Sequence, residues 1–370
     1  MEDRRMTPRI TFISASAGSG KTHRVVDTIE ERLVSGACRP GGLIATTFTV
    51  KAAHELRERV RGRLHHRGHT ALAERLDEGL IGTVHGVCRQ LLERFTFEAG
   101  ISPRIEILAE EQASELLAQA VESVADFPTL QRLQQIAVRL GQQDRQTHEF
   151  NWKSQVREIV NAVQANDLDE ADFPAMADRS VAELLAFLPP PTTGDLDREL
   201  LAAISTAIGR ISGNGDETVT TRKYLDFLRD CRRDLENASL SWSAWVKIAK
   251  DPPAKASQAE ATPVMGTAAR FETHPRLRED IREYTTMLFT LAQRCITGYR
   301  RLKEERGFMD FSDLEQRTLR LLRDVPFAKE VLREELDLLV VDEFQDTSPI
   351  QLGLFMELAA CGRETVWVGD

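Results

Sequence analysis

The sequence predicts an α/β protein whose parallel sheet is interrupted by a mostly helical insertion. Three observations carry that expectation. Short apolar runs alternate with amphipathic helical stretches over residues 1–97 and again at the end of the chain. The first run leads into a Gly/Ser-rich loop followed by Lys-Thr. Residues 98–297 carry helical spacing without a strand series.

Ile10-Thr11-Phe12-Ile13 reads as the first strand. Ser14-Ala15-Ser16-Ala17-Gly18-Ser19-Gly20-Lys21-Thr22 follows it, and then a helix with Val25, Val26, Ile29 and Leu33 on one face and Gly36 as its stop. Strand, glycine-rich loop, Lys-Thr and helix are the context of a phosphate-binding loop. Gly18 and Gly20 let the backbone curl so that N–H groups point at a triphosphate, and the helix N-terminus adds partial positive charge there. Ala15, Ser16, Ala17, Gly18, Ser19 and Gly20 then form the cradle, Lys21 reaches the β/γ-phosphates, and the Thr22 hydroxyl holds Mg²⁺. Ala15 stands where the strict pattern has glycine. An ordinary Gly/Ser turn is the alternative, and the flanking strand and helix weigh against it.

Gly42-Leu43-Ile44-Ala45-Thr46-Thr47 reads as a second, buried strand. The helix after it places Ala53, Leu56, Val60 and Leu64 on one face and Lys51, Arg57, Arg59, Arg61, Arg63 and Arg67 on the other. That basic face is either a solvated surface or a contact for an anionic partner. Leu80-Ile81-Gly82-Thr83-Val84 is a third strand, followed by a helix marked by Val87, Leu91, Leu92 and Phe95. In the insertion, helices are marked at 152–163, 196–211 and 225–235, with Pro/Gly-rich loops between them. Residues 251–263 are expected to be flexible, and Trp152, Trp242 and Trp245 are read as core rather than stacking residues. The return is one long helix, with Ile281, Leu288, Cys295 and Leu302 as a core seam.

The α/β rhythm resumes at Leu336-Asp337-Leu338-Leu339-Val340-Val341, a strand that ends in Asp342-Glu343-Phe344-Gln345-Asp346-Thr347. A carboxylate at a strand tip near a phosphate loop is placed to hold Mg²⁺, which gives Asp342 the metal role, and Glu343 beside it suits the general base. Thr365-Val366-Trp367-Val368 is the last strand, ending in Gly369-Asp370.

Composition sets limits. The net charge of −10 argues against a generally DNA-seeking surface. It is uneven: residues 1–97 carry 16 Lys/Arg against 11 Asp/Glu, and residues 98–370 carry 32 against 47. A local basic groove remains compatible with nucleic acid. The five cysteines lie far apart with no Cys-x-x-Cys pair, so buried thiols are expected rather than a metal cluster. There is no apolar run of membrane-spanning length and no N-terminal signal segment, so the expectation is a cytoplasmic protein without a membrane partner.

Taken in order, these stretches resemble the UvrD/Rep/RecB-type superfamily 1 DNA helicases. Ala15 to Thr22 looks like their motif I, Thr46 to Arg59 their motif Ia, and Gly82 to Cys88 their motif Ib. Met309-Asp310-Phe311-Ser312-Asp313-Leu314 resembles the Asp-Phe segment before motif II, Asp342 to Thr347 motif II itself, and Val366 to Asp370 the first half of motif III. Residues 1–9 lack the glutamine that many members use to read adenine, and the Ala-Ser-Ala-Gly opening favours the RecB/AddA-like branch.

The resemblance implies a RecA-like P-loop NTPase domain from residues 1–97 and 298–370, a helical insertion at 98–297, and a second RecA-like domain outside these residues. It implies ATP and Mg²⁺ as cofactors. Gln345 would couple the nucleotide to the DNA-bound state, and Thr47, Phe48, Thr83 and His85 would line the single-stranded DNA track. Phe48 is equally readable as a core ring. The implied activity is ATP-dependent 3′–5′ DNA unwinding or translocation on single strands or at duplex junctions, in repair, recombination or defence. A nuclease domain or partner subunit would complete the machine, and residues 1–370 alone are expected to hydrolyse little ATP. The alternative is a DNA-dependent ATPase switch that does not unwind.

Overall fold

Five short apolar runs assemble into one parallel sheet. The computed structural model describes residues 10–14, 21–102, 106–143, 150–166 and 168–370. The strands are β1 (Ile10–Ser14), β2 (Leu43–Thr47), β3 (Leu80–Thr83), β6 (Leu338–Val341) and β7 (Glu364–Gly369), in the spatial order β1-β7-β6-β2-β3. All four pairings are parallel, with Ser14 opposite Gly369, Val341 opposite Trp367, and Thr47 opposite Thr83. Two further strands, β4 (Glu106–Ile107) and β5 (Phe308–Met309), form a separate parallel pair. At two residues each, they are too short to show any pattern in sequence.

The helices are α1 (Lys21–Val34), α2 (Val50–His66), α3 (Thr70–Glu74), α4 (Val84–Arg94), α5 (Glu110–Ser123), α6 (Phe127–Leu140), α7 (Trp152–Ala165) and α8 (Phe173–Ala186). They continue with α9 (Leu196–Gly213), α10 (Val219–Glu236), α11 (Trp242–Lys250), α12 (Gln258–Ala268), α13 (Pro275–Arg306), α14 (Phe311–Asp324), α15 (Pro326–Glu335) and α16 (Pro349–Cys361).

The chain divides into two units, one comprising residues 1–116, 162–168 and 300–370 and the other 117–161 and 169–299. In the first, alternation along the strands sorts side chains to two faces. Leu43, Ala45, Leu338, Val340, Val366 and Val368 share a core with Val25, Ile29, Leu56 and Val60 of α1 and α2. Ile44, Leu339, Val341 and Trp367 share another with residues of α4, α14, α15 and α16. Strands covered on both sides are near-continuous apolar runs, and β6 is buried at every position. This is the RecA-like three-layer arrangement.

Helix starts are capped by the residues at the strand tips. Thr49 accepts from Ala52 N–H and Thr83 from Gly86 N–H. Asp310 with Asp313, and Ser348 with Gln351, close capping boxes at α14 and α16.

The second unit is helical. Leu200, Ile204, Leu228, Trp245, Ile248 and Val264 lie in one core. Trp242 and Trp245 are buried as expected, and the Trp242 indole donates to Asp280 at 2.9 Å. The stretch expected to be flexible is instead ordered: a short 3₁₀ turn at Lys255–Ser257 runs into α12, which carries Pro263 inside it. Ala261, Val264 and Ala268 are buried there, and that packing outweighs the cost of the proline. All five cysteines are buried free thiols. Among the described residues no helix is long and apolar enough to cross a membrane.

Candidate functional site

A parallel sheet collects all its strand ends at one edge, and ligands of such sheets bind in the crevice there. At this edge β1 leads toward Lys21 and Thr22 at the start of α1, β6 ends at Asp342-Glu343, and β7 ends at Gly369-Asp370. These three strands are neighbours. On the other side of β6, β2 ends at Thr47-Phe48 and β3 at Thr83, two residues before His85. The residues expected to handle nucleotide and those expected to meet DNA therefore occupy adjacent stretches of one edge. Ala15, Ser16, Ala17, Gly18, Ser19 and Gly20 lie outside the described residues.

The Lys21 ammonium is largely buried, pairs with Asp370 and lies 3.7 Å from Glu343 Oε2. Its hydrogen bond to Asp370 raises its pKa above the ordinary lysine value; burial opposes this, and Glu343 and Asp342 add to it. Thr22 is half-buried one residue on.

Asp342 is half-buried and anchored by its own N–H, which donates to Thr46 C=O at 3.0 Å. Burial pushes its carboxyl above the ordinary aspartate value, and the charge of Glu343 adds to the rise. A carboxylate in that state gains from a bound cation, and carboxylate and hydroxyl oxygens, the groups Asp342 and Thr22 carry, are the hard donors that Mg²⁺ takes. A folded-state pKa that is raised means that the group's stabilising contribution is present at low pH and is lost as pH rises through that value. Asp342→Asn is accordingly expected to melt a few degrees higher than the parent at pH 7, with the gap narrowing on acidification. Thermal melts across pH check this, and a lower melting temperature at pH 7 would refute it.

Glu343 adopts a left-handed conformation, φ 54 and ψ 43, rare for a residue with a side chain. Its N–H donates to Asp342 Oδ1 at 3.1 Å. Gln345 donates through Nε2 to Glu343 Oε2 at 2.6 Å, and its Oε1 accepts the Asp370 N–H at 3.2 Å. One amide thus joins the expected base to the end of β7. Gly369 permits that closeness, since a Cβ there would sit 2.8 Å from Gln345 Oε1. Phe344 stacks on Trp367 at 4.3 Å, with Phe12 edge-on to both. Sequence reasoning did not place Asp370 in the site, although an acidic residue at a strand end was the signal already used for Asp342.

The expected DNA residues present less free chemistry. Thr47 is buried and its hydroxyl donates to Thr49 C=O at 3.1 Å; the Thr83 hydroxyl caps α4. Phe48 is half-buried. The His85 ring stacks on Phe311 with centroids 4.3 Å apart, and its Nε2 lies 3.0 Å from Glu315 Oε1. The basic face of α2 is largely paired: Arg61 with Glu58 and Asp77, Arg63 with Asp27 and Glu30, and Arg67 with Glu30.

A doubly covered parallel sheet that gathers a lysine opening a helix, an Asp-Glu pair and a bridging glutamine at its carboxyl edge is the RecA-like arrangement of P-loop NTPases. The chain belongs to the UvrD/REP helicase N-terminal domain family, which it matches over residues 4–370. It is similar to an ATP-dependent helicase/nuclease subunit from Geobacillus thermodenitrificans (strain NG80-2), with 27% identity over 412 aligned positions, covering 93% of this chain and 32% of that protein. The proteins of the same name from Streptococcus mutans serotype c (strain ATCC 700610 / UA159) and Anoxybacillus flavithermus (strain DSM 21510 / WK1) are each 24% identical, covering 97% and 93% of this chain and 33% of their own lengths. These relatives agree with the RecB/AddA-like branch. The chain spans about a third of the length of the curated relatives it matches.

Proposed function

We infer that the intact protein is an ATP-dependent 3′–5′ DNA helicase or translocase. Its track would be single-stranded DNA or a duplex junction, in cytoplasmic DNA repair, recombination or defence. Residues 1–97 and 298–370 form its first RecA-like, ATP-binding domain, and 98–297 its helical insertion. A second RecA-like domain completes the ATP site, and a nuclease domain or partner subunit works with it, as the names of the relatives suggest. Residues 1–370 alone hydrolyse ATP negligibly.

The observation that carries this reading is the convergence of Lys21, Asp342, Glu343 and Gln345 at one sheet edge, next to the segments that hold Thr47, Phe48, Thr83 and His85. Lys21 would exchange its Asp370 and Glu343 partners for the β/γ-phosphates. Asp342 and Thr22 would hold Mg²⁺, whose charge offsets that of the transferring phosphoryl group. Glu343 would accept a proton from the attacking water, held in place by Gln345. Phe48 would offer a stacking face to a base.

The test is ATP hydrolysis by the intact protein with and without single-stranded DNA. Strong stimulation is expected. Hydrolysis indifferent to DNA would sink the helicase reading, and stimulation without strand displacement would favour a non-unwinding switch.

A further inference from the structure

Glu315 lies on α14 with only 6% of its surface exposed. Its Oε1 meets two groups: His85 Nε2 at 3.0 Å and Gln351 Nε2 at 2.7 Å. A buried carboxylate is costly unless hydrogen-bonded, so these partners hold it and it holds them. They belong to different parts of the proposed machine. His85 stands in the first turn of α4, on the side expected to meet DNA, with its ring on Phe311. Gln351 stands in the first turn of α16, the helix that directly follows the Asp342–Thr347 segment. Its Oε1 accepts the Ser348 N–H at 3.2 Å, while Ser348 Oγ accepts the Gln351 N–H at 3.3 Å. Both ends of the Gln351 amide are therefore engaged. It cannot turn to follow Glu315 without disturbing the cap of α16.

We propose that Glu315 and Gln351 are positioning residues that couple nucleic acid at His85 to the ATP chemistry at Asp342 and Glu343. This rests on the function inferred above. The physical core is a single proton. An Nε2–H that His85 gives to Glu315 cannot at the same time be given to a phosphate or base oxygen. A strand that takes it leaves Glu315 Oε1 to Gln351 alone. The carboxylate and the amide then re-seat together, and the Ser348 cap changes with them. That gives two discrete arrangements rather than a graded strain, as transmission between sites requires.

The test uses the intact protein and oligo(dT) as the probe. ATP hydrolysis is measured without DNA and at saturating oligo(dT), and oligo(dT) affinity is measured separately. Glu315→Leu removes both hydrogen bonds at similar volume, Gln351→Leu removes the link to α16, and Glu315→Gln keeps an acceptor. Both leucine variants are expected to retain the DNA-free rate and the oligo(dT) affinity while losing stimulation by about tenfold, within the usual range of coupling between sites. Glu315→Gln should lose less, and the double leucine variant no more than either single.

Full stimulation in both leucine variants overturns the proposal. So does a fall in the DNA-free rate that matches the fall in stimulation, which marks a merely structural role. A parent protein that oligo(dT) does not stimulate brings down the function itself, and the coupling with it, and the parent alone reveals that. Should the leucine variants fold poorly, amide hydrogen exchange on the parent decides. Oligo(dT) is expected to change protection across residues 348–352, and unchanged protection overturns the coupling.

Discussion

A Glu343→Gln variant of the intact protein is expected to hydrolyse ATP roughly 10²–10⁴-fold more slowly than the parent in the presence of single-stranded DNA, the usual worth of a positioned general base. The substitution changes charge and basicity with little change in shape. The side-chain carbonyl that replaces the carboxylate can still accept the Gln345 Nε2 bond, and the left-handed backbone of residue 343 is no harder for glutamine to adopt than for glutamate. Nucleotide binding should therefore survive. It should even tighten slightly, because Lys21 loses one of the carboxylates that compete with phosphate for its ammonium. Single-turnover hydrolysis beside equilibrium binding of a fluorescent ATP analogue separates the two effects. Turnover within a few-fold of the parent would remove Glu343 from the base role, and lost binding would make it a structural residue of the pocket.

The second large effect concerns stability. Lys303 is buried and bonds Asp310 at 2.8 Å and Asp313 at 2.5 Å. Those two aspartates are also the capping box of α14, the helix that carries Phe311 and Glu315. Burial and the neighbouring Asp310 charge push the Asp313 carboxyl above its ordinary value, and the Lys303 ammonium opposes that rise. Lys303→Met leaves two carboxylates together without that cation and is expected to cost about 3–5 kcal/mol of local stability. Hydrogen exchange of the α14 amides reads this directly. Adding Asp310→Asn keeps the cap acceptor, removes one charge and should recover part of the loss. Protection unchanged by Lys303→Met would mean that water or another group solvates the pair.

Much of the site was legible because its signals are local. Asp342-Glu343 follows an apolar run that reads as a covered strand, and Lys21-Thr22 opens a helix behind a glycine-rich loop. What was not legible depends on residues far apart in the chain. Nothing near residue 315 announces that its carboxylate will face His85 and Gln351. Nothing in α2 says that its arginines will find Asp27, Glu30 and Asp77 instead of a free anionic partner. The threonines show the same limit at short range. Thr47 and Thr83 have the hydroxyls a phosphate contact needs, but Thr47 gives its proton to the Thr49 carbonyl and Thr83 accepts the Gly86 N–H at a helix start. Proline and alanine at 251–263 suggested a flexible stretch until burial against the rest of the helical core ordered it as α12.

By itself the sequence determined the strands of the sheet, the α/β class, and the residue types at each strand tip, since periodicity and turn chemistry act between near neighbours. Only the tertiary structure decided which tips lie side by side, that one glutamine ties Glu343 to the end of β7, and which charged groups are already paired. The order β1-β7-β6-β2-β3 brings residues more than 300 positions apart into hydrogen-bonding register. Such contacts arise from filling two cores at once, a property of the folded whole that no single stretch of chain contains.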